Sequence, residues 1–227
     1  MKRHHLRCAW PLLALLLADA RAADLALPNG ARLALPVASI KEMRFQTTLR
    51  QQYDFSCGSA ALATLLTHHY GYPVTEQQVF EQMFLRGDQA RIRKEGFSLL
   101  DMRRFLAAHG FRADGFRLPL QELIDAKLPA IVLVADHGYH HFVVIKGVDG
   151  ARILLGDSAK GTRVVSRGEF ESIWAGKLLF VIHDHPRAPS FNSSADWRAA
   201  PRAPLDQGID HKRQSGATMP KFGPGDF

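Results

Sequence analysis

Cysteine is scarce in this chain of 227 residues, which contains only Cys8 and Cys57. Cys8 lies in a basic N-terminal stretch ahead of an apolar run, so loss of that stretch on export would leave Cys57 alone. A chain with one cysteine forms no internal disulfide. In an oxidising compartment a lone thiol persists when it is deeply buried or when it has a chemical role. Cys57 is therefore the first candidate for function.

The sequence also lacks an apolar run of membrane-spanning length and a clustered run of one charge sign. The apolar stretch from Ala9 to Ala18 has ten residues, whereas a spanning helix needs about twenty. The formal net charge is +7, but the basic residues are scattered and no recognition motif accompanies them. We therefore expect no transmembrane domain and no nucleic-acid partner.

Residues 1–22 are typical of a secretory signal peptide. Three basic residues precede the apolar run, and Ala20 and Ala22 supply the small residues that a signal peptidase reads. We therefore expect the protein to be periplasmic, and an uncleaved N-terminal membrane anchor is the alternative.

The rest of the chain divides into three segments. Residues 23–43 are expected to be an N-terminal arm, because the runs 33–37 and 43–49 alternate like short strands or extended chain. Residues 44–185 carry the periodic apolar pattern of a folded domain. Residues 186–227 are rich in Pro, Gly, Ser, Asn and Arg and are expected to be a disordered tail. A docking segment for a partner is the alternative for this tail.

The domain is predicted to be α+β, with a helical N-terminal half packed on an antiparallel sheet. Helical spacing and capping signals occur in four segments of the first half, namely 57–70, 75–84, 98–109 and 120–126. The polar stretch 86–96 between them is predicted to be a loop. Apolar runs of strand length follow at 130–135, 141–145, 152–155, 163–166 and 178–182, with a short helix near 167–174.

Cys57 is predicted to lie in the first turn of a buried helix. Backbone N–H groups there have no intrahelical partner, and the helix dipole adds partial positive charge. Both effects favour thiolate over thiol, and a neighbouring imidazolium would add to them. The alternative is that Cys57 is a small buried apolar residue, as most unpaired cysteines are.

The segment from Asp136 to His141 is the richest source of a base for this thiol. Its three histidines, His137, His140 and His141, also suggest a metal site, because imidazole is a common zinc ligand. Adjacent strand residues point to opposite faces, however, so His140 and His141 cannot both face one ion without distortion. We therefore expect no metal and no other cofactor, and we interpret His137 as a solvated turn residue.

His141 and Asp157 are predicted to meet across a hairpin. His141 opens an apolar strand, and Asp157 lies sixteen residues later, beyond a turn signal at Asp149-Gly150. A hairpin of this length returns the chain to the level at which it began. Asp157 would then accept a hydrogen bond from the ring. The alternative for Asp157 is an ordinary Asx turn with Ser158.

Three blocks of sequence together resemble the double-glycine leader peptidases. This bacteriocin-processing family is number thirty-nine among the catalogued cysteine peptidases and has a papain-like fold. The first block is the predicted helical segment Cys57–Ala63 together with Gln51, which lies six residues before Cys57. The second block is His141–Val144, and the third is Asp157. The resemblance covers about residues 44–184, and the blocks occur in the family's order and spacing.

The resemblance implies a Cys57, His141 and Asp157 triad, with Gln51 donating to the oxyanion. His141 would deprotonate Cys57 and later protonate the leaving amine, while Asp157 would orient the imidazole. The Gln51 amide and the Cys57 N–H would bind the tetrahedral oxyanion, where loss of one donor costs about 3–4 kcal/mol. A peptide or protein substrate cut after small residues is also implied.

The layout differs from that of the bacteriocin exporters in the family. Those peptidases are usually N-terminal domains of membrane transporters and often carry aspartate where this chain has Ser56. The chain resembles more closely the stand-alone exported members, including the peptidase-like component encoded with bacterial functional-amyloid secretion systems. We therefore expect an exported thiol peptidase that acts on an amyloid subunit or another secreted protein, with a secretion-system component as a further partner.

Two other functions remain open on the sequence. A papain-like cell-wall amidase also uses cysteine and histidine, but does not usually carry Gln51 and Asp157 at these spacings. A non-catalytic substrate-binding or chaperone-like secretion accessory would normally have lost the nucleophile, whereas this chain keeps Cys57.

Overall fold

The computed structural model describes residues 22–26, 32–36, 39–136 and 138–201. The chain separates into two units, Met1–Ser39 and Ile40–Phe227. In the first unit the described residues form an antiparallel pair, β1 (Ala22–Ala26) and β2 (Arg32–Pro36). The predicted signal peptide lies outside the described residues apart from Ala22.

The second unit contains a six-stranded antiparallel sheet with the strand order β3-β8-β4-β5-β6-β7. Its strands are β3 (Arg112–Phe116), β4 (Ala130–Asp136), β5 (Tyr139–Asp149), β6 (Arg152–Asp157), β7 (Gly161–Ser166) and β8 (Leu179–His183). The five strands expected from apolar runs are all present. Strand β3 was not predicted, because the sequence Arg-Ala-Asp-Gly-Phe lacks the β-branched residues that mark strands.

Helices fill the first half of this unit and the connections between strands. They are α1 (Ile40–Phe45), α2 (Cys57–Thr64), α3 (Glu76–Arg86), α4 (Gln89–Glu95), α5 (Leu99–Ala108), α6 (Leu120–Ala126), α7 (Arg167–Ile173) and α8 (Ser194–Trp197). A π-helical turn, Leu65–His69, continues α2, and a 3₁₀ turn, Ala175–Lys177, follows α7. No helix among the described residues is long and apolar enough to cross a membrane.

The sheet has an apolar core on each face. One buried cluster joins α2, α3 and α5 to the sheet through residues that include Ile131 and Val144. The second joins α6 and α7 to the sheet through neighbours of those residues, including Val132 and Ile145. Successive strand residues therefore alternate between two cores, as side chains on a pleated strand must. The predicted α+β class is confirmed.

Two local predictions were wrong. The stretch 86–96, predicted to be a loop, contains α4, because the Asp88 side chain accepts a hydrogen bond from Arg91 N and caps a short helix. The run 43–49, predicted to be extended, begins inside α1, which ends at Phe45. Both segments are short, so their periodicity carried little information.

Part of the expected tail is ordered, and for residues 186–201 the prediction of disorder was wrong. We call these residues the C-terminal strap. The contacts that hold it on the domain include Ser190 N to His69 O at 2.8 Å, Asn192 to the backbone of Val148, and Asp196 to Lys146. The strap is held by polar contacts, which a search for apolar periodicity does not detect. Residues 202–227 lie outside the described residues.

Candidate active site

Cys57 is the first residue of α2 and is 7% exposed. Ser56 precedes it but does not cap the helix, because its side chain closes a turn instead. The Ser56 hydroxyl donates to Tyr53 O at 3.0 Å and accepts from Tyr53 N at 3.2 Å. The first N–H groups of α2 are thus not occupied by a side-chain cap. Their partial positive charge favours a thiolate or an oxyanion at this end of the helix.

Glycine at position 58 allows the start of α2 to pack closely. A Cβ atom on residue 58 would lie 2.9 Å from Met102 Cε and 3.0 Å from Phe97 Cβ. Both distances are shorter than normal carbon contacts, so a larger residue would push the helix start away from the core. The close packing holds Cys57 in a fixed position.

His141 and Asp157 meet as predicted. Strand β5 pairs with β6 so that Val143 faces Asp157, which makes His141 the diagonal neighbour of Asp157 on the same face. The His141 Nε2 atom lies 2.9 Å from Asp157 Oδ1, and the two side chains are 9% and 2% exposed. The other ring nitrogen, Nδ1, is buried and makes no hydrogen bond of standard geometry within the described part of the chain.

Asp157 makes three further hydrogen bonds. Its Oδ1 atom accepts from Ala159 N at 3.0 Å and from Lys160 N at 3.1 Å, while its Oδ2 atom accepts from Arg163 Nε at 3.1 Å. The bond to Ala159 is that of an Asx turn. The two interpretations of Asp157 are therefore both correct, because the turn holds the carboxylate that binds the histidine.

The ionisation of this pair follows from its surroundings. Burial lowers the pKa of His141, but the interactions with Asp157 and then with Cys57 outweigh burial and raise that pKa to about 9. Burial raises the pKa of Asp157, but the His141 ring, the Ala159 N–H and Arg163 more than offset burial and hold it well below its usual range. An imidazolium beside the Asp157 carboxylate is therefore the favoured state at neutral pH.

Gln51 lies beside the loop that follows Asp157. Its backbone N–H donates to Ser158 O at 3.2 Å, and its Oε1 atom accepts from the Ser158 hydroxyl at 2.8 Å. Its Nε2 atom donates to Tyr53 O at 3.2 Å, in the turn just ahead of Cys57. The carboxamide nitrogen is thus next to the turn that leads into the helix beginning at Cys57.

Tyr139 covers part of this site. Its ring stacks near the His141 ring, with 6.0 Å between centroids and 27° between planes. Its hydroxyl donates to Asp54 O at 3.2 Å, and the residue is 56% exposed. Tyr139 therefore links the start of β5 to the turn before Cys57 and shields one side of the histidine.

His140, the neighbour of His141 in the sequence, does not join this site. His140 is exposed, while the adjacent His141 is buried, in keeping with alternation along β5. His137 lies outside the described residues. Among the residues that the structure describes, no group of three or more His, Cys, Asp and Glu side chains is arranged to hold a metal ion.

Sequence reasoning missed the residues that support the predicted ones. Ser158, Arg163 and Tyr139 each contact a predicted site residue, but none carries a motif of its own. The available signal was position: Tyr139 lies two residues before His141 on one strand, and Ser158 follows Asp157 directly.

Comparisons with known proteins point to one family. The sequence profile of the Peptidase C39 family matches residues 46–185. The chain is 43% identical over 157 residues to the "Probable functional amyloid protease FapD" of Pseudomonas aeruginosa, which spans 69% of this chain and 70% of that protein. It is 34% identical over 134 residues to the lactococcin-G-processing and transport ATP-binding protein LagD of Lactococcus lactis, which spans 57% of this chain and 18% of that protein.

A solved structure supports the same fold. The peptidase domain of Streptococcus ComA, a bi-functional ABC transporter, superposes with a TM-score of 0.50 at 22% identity. The superposition covers 60% of this chain and 96% of that domain. The papain-like fold predicted from the three sequence blocks is confirmed. Since the family profile spans more than half of the sequence, the chain belongs to the Peptidase C39 family and is a cysteine peptidase.

Proposed function

We propose that the protein is an exported thiol peptidase in which Cys57 is the nucleophile and His141 the base. Asp157 orients the base, and Gln51 donates to the oxyanion. One observation carries this assignment: the buried His141 ring hydrogen-bonds Asp157 through Nε2, and Asp157 and then Cys57 raise the pKa of that ring. This is the arrangement of nucleophile, base and orienting group that covalent catalysis by cysteine requires.

The first chemical step follows from the ring geometry. Because the Nε2 atom of His141 is hydrogen-bonded to Asp157, we assign proton exchange with Cys57 to the Nδ1 atom. The thiol proton moves to Nδ1, and the thiolate sulfur attacks the carbonyl carbon of the scissile peptide bond. The C–N bond then breaks as Nδ1 returns its proton to the leaving amine, which leaves a thioester on Cys57.

The second step regenerates the enzyme. His141 takes a proton from water, the hydroxide attacks the thioester, and the C–S bond breaks to release the acid. During both steps negative charge develops on the carbonyl oxygen. The N–H of Cys57 at the start of α2 and the Gln51 carboxamide are the donors that we assign to this oxygen.

We propose that the substrate is a protein of a functional-amyloid system, either an amyloid subunit or another secreted component. The support is the similarity to the FapD relatives, which extends over more than two thirds of each chain. A secretion-system component is the further partner that this setting implies. Residues 1–22 support export to the periplasm with cleavage after Ala22.

The proposal is tested with the mature protein and secreted proteins encoded by neighbouring genes. Each candidate is incubated with the wild-type enzyme or with Cys57→Ala, and new N-termini are identified by mass spectrometry. We expect a defined cut that is absent with Cys57→Ala. Cuts that persist with Cys57→Ala would contradict the assignment of the nucleophile, and an intact set of amyloid-system proteins would contradict the proposed substrate. N-terminal sequencing of the protein from periplasmic extract tests the localisation.

A further inference from the structure

We propose that Ser158 is a positioning residue: its hydroxyl holds the Gln51 carboxamide with the nitrogen turned toward the turn before Cys57. This inference rests on the proposed function, because it concerns how one of the two oxyanion donors is oriented. A flexible glutamine side chain has several rotamers, and only one of them aims its N–H at the developing charge.

Two hydrogen bonds join residues 51 and 158. The Gln51 backbone N–H donates to Ser158 O at 3.2 Å, and the Ser158 hydroxyl donates to Gln51 Oε1 at 2.8 Å. Ser158 is 1% exposed, so water competes little for its hydroxyl. The first bond fixes the position of the Gln51 backbone, and the second fixes the position of its carboxamide.

The chemistry of the three partners determines which way the carboxamide points. Tyr53 O is a backbone carbonyl and can only accept, so the Gln51 nitrogen must be the group that faces it. The carboxamide oxygen then faces Ser158, whose hydroxyl must donate. The NH₂ group has two hydrogens. Tyr53 O takes one of them, and the second remains to donate to the oxyanion.

Ser158 is also adjacent in sequence to the residue that binds the catalytic histidine. It follows Asp157, whose carboxylate binds the His141 ring at 2.9 Å. The last residue of β6 therefore orients the base, and the first residue of the loop after it orients the oxyanion donor. Their relative placement is set by one peptide unit, which leaves little freedom between them.

A double-mutant cycle tests this role. The variants are Ser158→Ala, Gln51→Ala and their combination, assayed on a fluorogenic peptide with two glycines before an aminocoumarin leaving group. Ser158→Ala keeps the backbone bond to Gln51, so it removes only the side-chain contact. Thr162→Val is the matched control: Thr162 is also fully buried and bonds Thr48 at 2.7 Å, away from Gln51.

We expect Gln51→Ala to lower kcat by about 10²–10³-fold, as loss of an oxyanion donor does. We expect Ser158→Ala to lower kcat by about 3- to 10-fold with little change in KM, the effect of one neutral hydrogen bond. The combined variant should match Gln51→Ala, because Ser158 acts through that side chain. Iodoacetamide alkylation of Cys57 involves no oxyanion, so its rate should stay at the wild-type value in Ser158→Ala. Thr162→Val should keep the wild-type kcat.

Several outcomes would overturn the role of Ser158 alone. These are an unchanged kcat in Ser158→Ala, a loss that multiplies fully with Gln51→Ala, or an equal loss in alkylation rate. Different outcomes would contradict the proposed function itself: no peptide turnover by the wild type, turnover that survives Cys57→Ala, or an unchanged kcat in Gln51→Ala.

Discussion

Lys146 Nζ lies 2.5 Å from Asp196 Oδ1, and the two side chains are 0% and 4% exposed. Lys146 belongs to β5 and Asp196 to the C-terminal strap, so this ion pair joins the strap to the sheet. The Lys146 ammonium also donates hydrogen bonds to the carbonyl oxygen and the hydroxyl of Thr47, at 2.5 and 2.7 Å. Burial lowers the pKa of Lys146, and the charge of Asp196 opposes that shift.

Removing one member of this pair should destabilise the protein strongly. Asp196→Ala leaves the Lys146 charge buried without its counter-ion, which costs about 3–5 kcal/mol of unfolding free energy. Replacing both residues, as in Lys146→Met with Asp196→Ala, should recover most of that loss. Urea unfolding followed by circular dichroism measures the effect.

An exposed ion pair provides the matched control for that measurement. Arg91 and Glu95 also form a pair at 2.8 Å, but on the surface of α4. Arg91→Ala should leave the urea midpoint nearly unchanged, because exposed pairs contribute little. Equal effects of Asp196→Ala and Arg91→Ala would contradict the account of the strap as part of the folded domain.

Peptidase activity should decline as pH rises through about 9. The pKa of His141 is raised to about 9 in the folded protein, so the imidazolium persists below that pH and is lost above it. The leaving amine needs this proton, and therefore kcat/KM should fall along an alkaline limb near that value. A pH profile of peptide turnover measures it. An alkaline limb near the ordinary histidine value of about 6.5 would contradict the environment described for the ring.

Asp157→Asn should move the alkaline limb of that profile to lower pH. The amide keeps the size of the side chain but removes the negative charge that helps to raise the pKa of His141. We expect kcat/KM to fall by about 10²-fold or more, within the range seen when the orienting group of a triad is neutralised. The control is Asp149→Asn, on the same hairpin at its far end. A limb that stays in place in Asp157→Asn would contradict the assigned role.

The Tyr139 ring should protect the histidine from water. Tyr139→Ala should lower kcat by about 3- to 10-fold, because added solvent raises the local dielectric and weakens the His141–Asp157 interaction. Tyr139→Phe keeps the stacked ring and loses only the bond to Asp54 O, so it should stay close to wild type. Equal losses in the two variants would assign the effect to the hydroxyl and not to the ring.

The site was largely predictable because its parts lie at fixed spacings on regular elements. A helix start places Cys57, and a hairpin register places His141 beside Asp157, whatever the surrounding loops do. Strand length and turn position are visible in the pattern of apolar residues, and so is the cap of α3 at Thr75. These are local properties of the chain, and local sequence encodes them.

The missed features depend on contacts between distant residues. The strap docks through Asp196 on Lys146, fifty positions earlier in the chain. Neither residue is apolar, so both appear on sequence as ordinary surface charges. Ser158 likewise gains its significance only when the loop after β6 meets Gln51. Sequence patterns report which residues prefer burial, but not which polar groups will find each other once buried.

Catalysis as proposed for this protein depends on His141 taking the proton of the Cys57 thiol. The most direct test is the rate of Cys57 alkylation by iodoacetamide against pH, in the mature protein and in His141→Ala. We expect rapid alkylation near pH 6 that slows markedly when His141 is removed. A thiol that stays inert until pH 8–9 in both forms would contradict it.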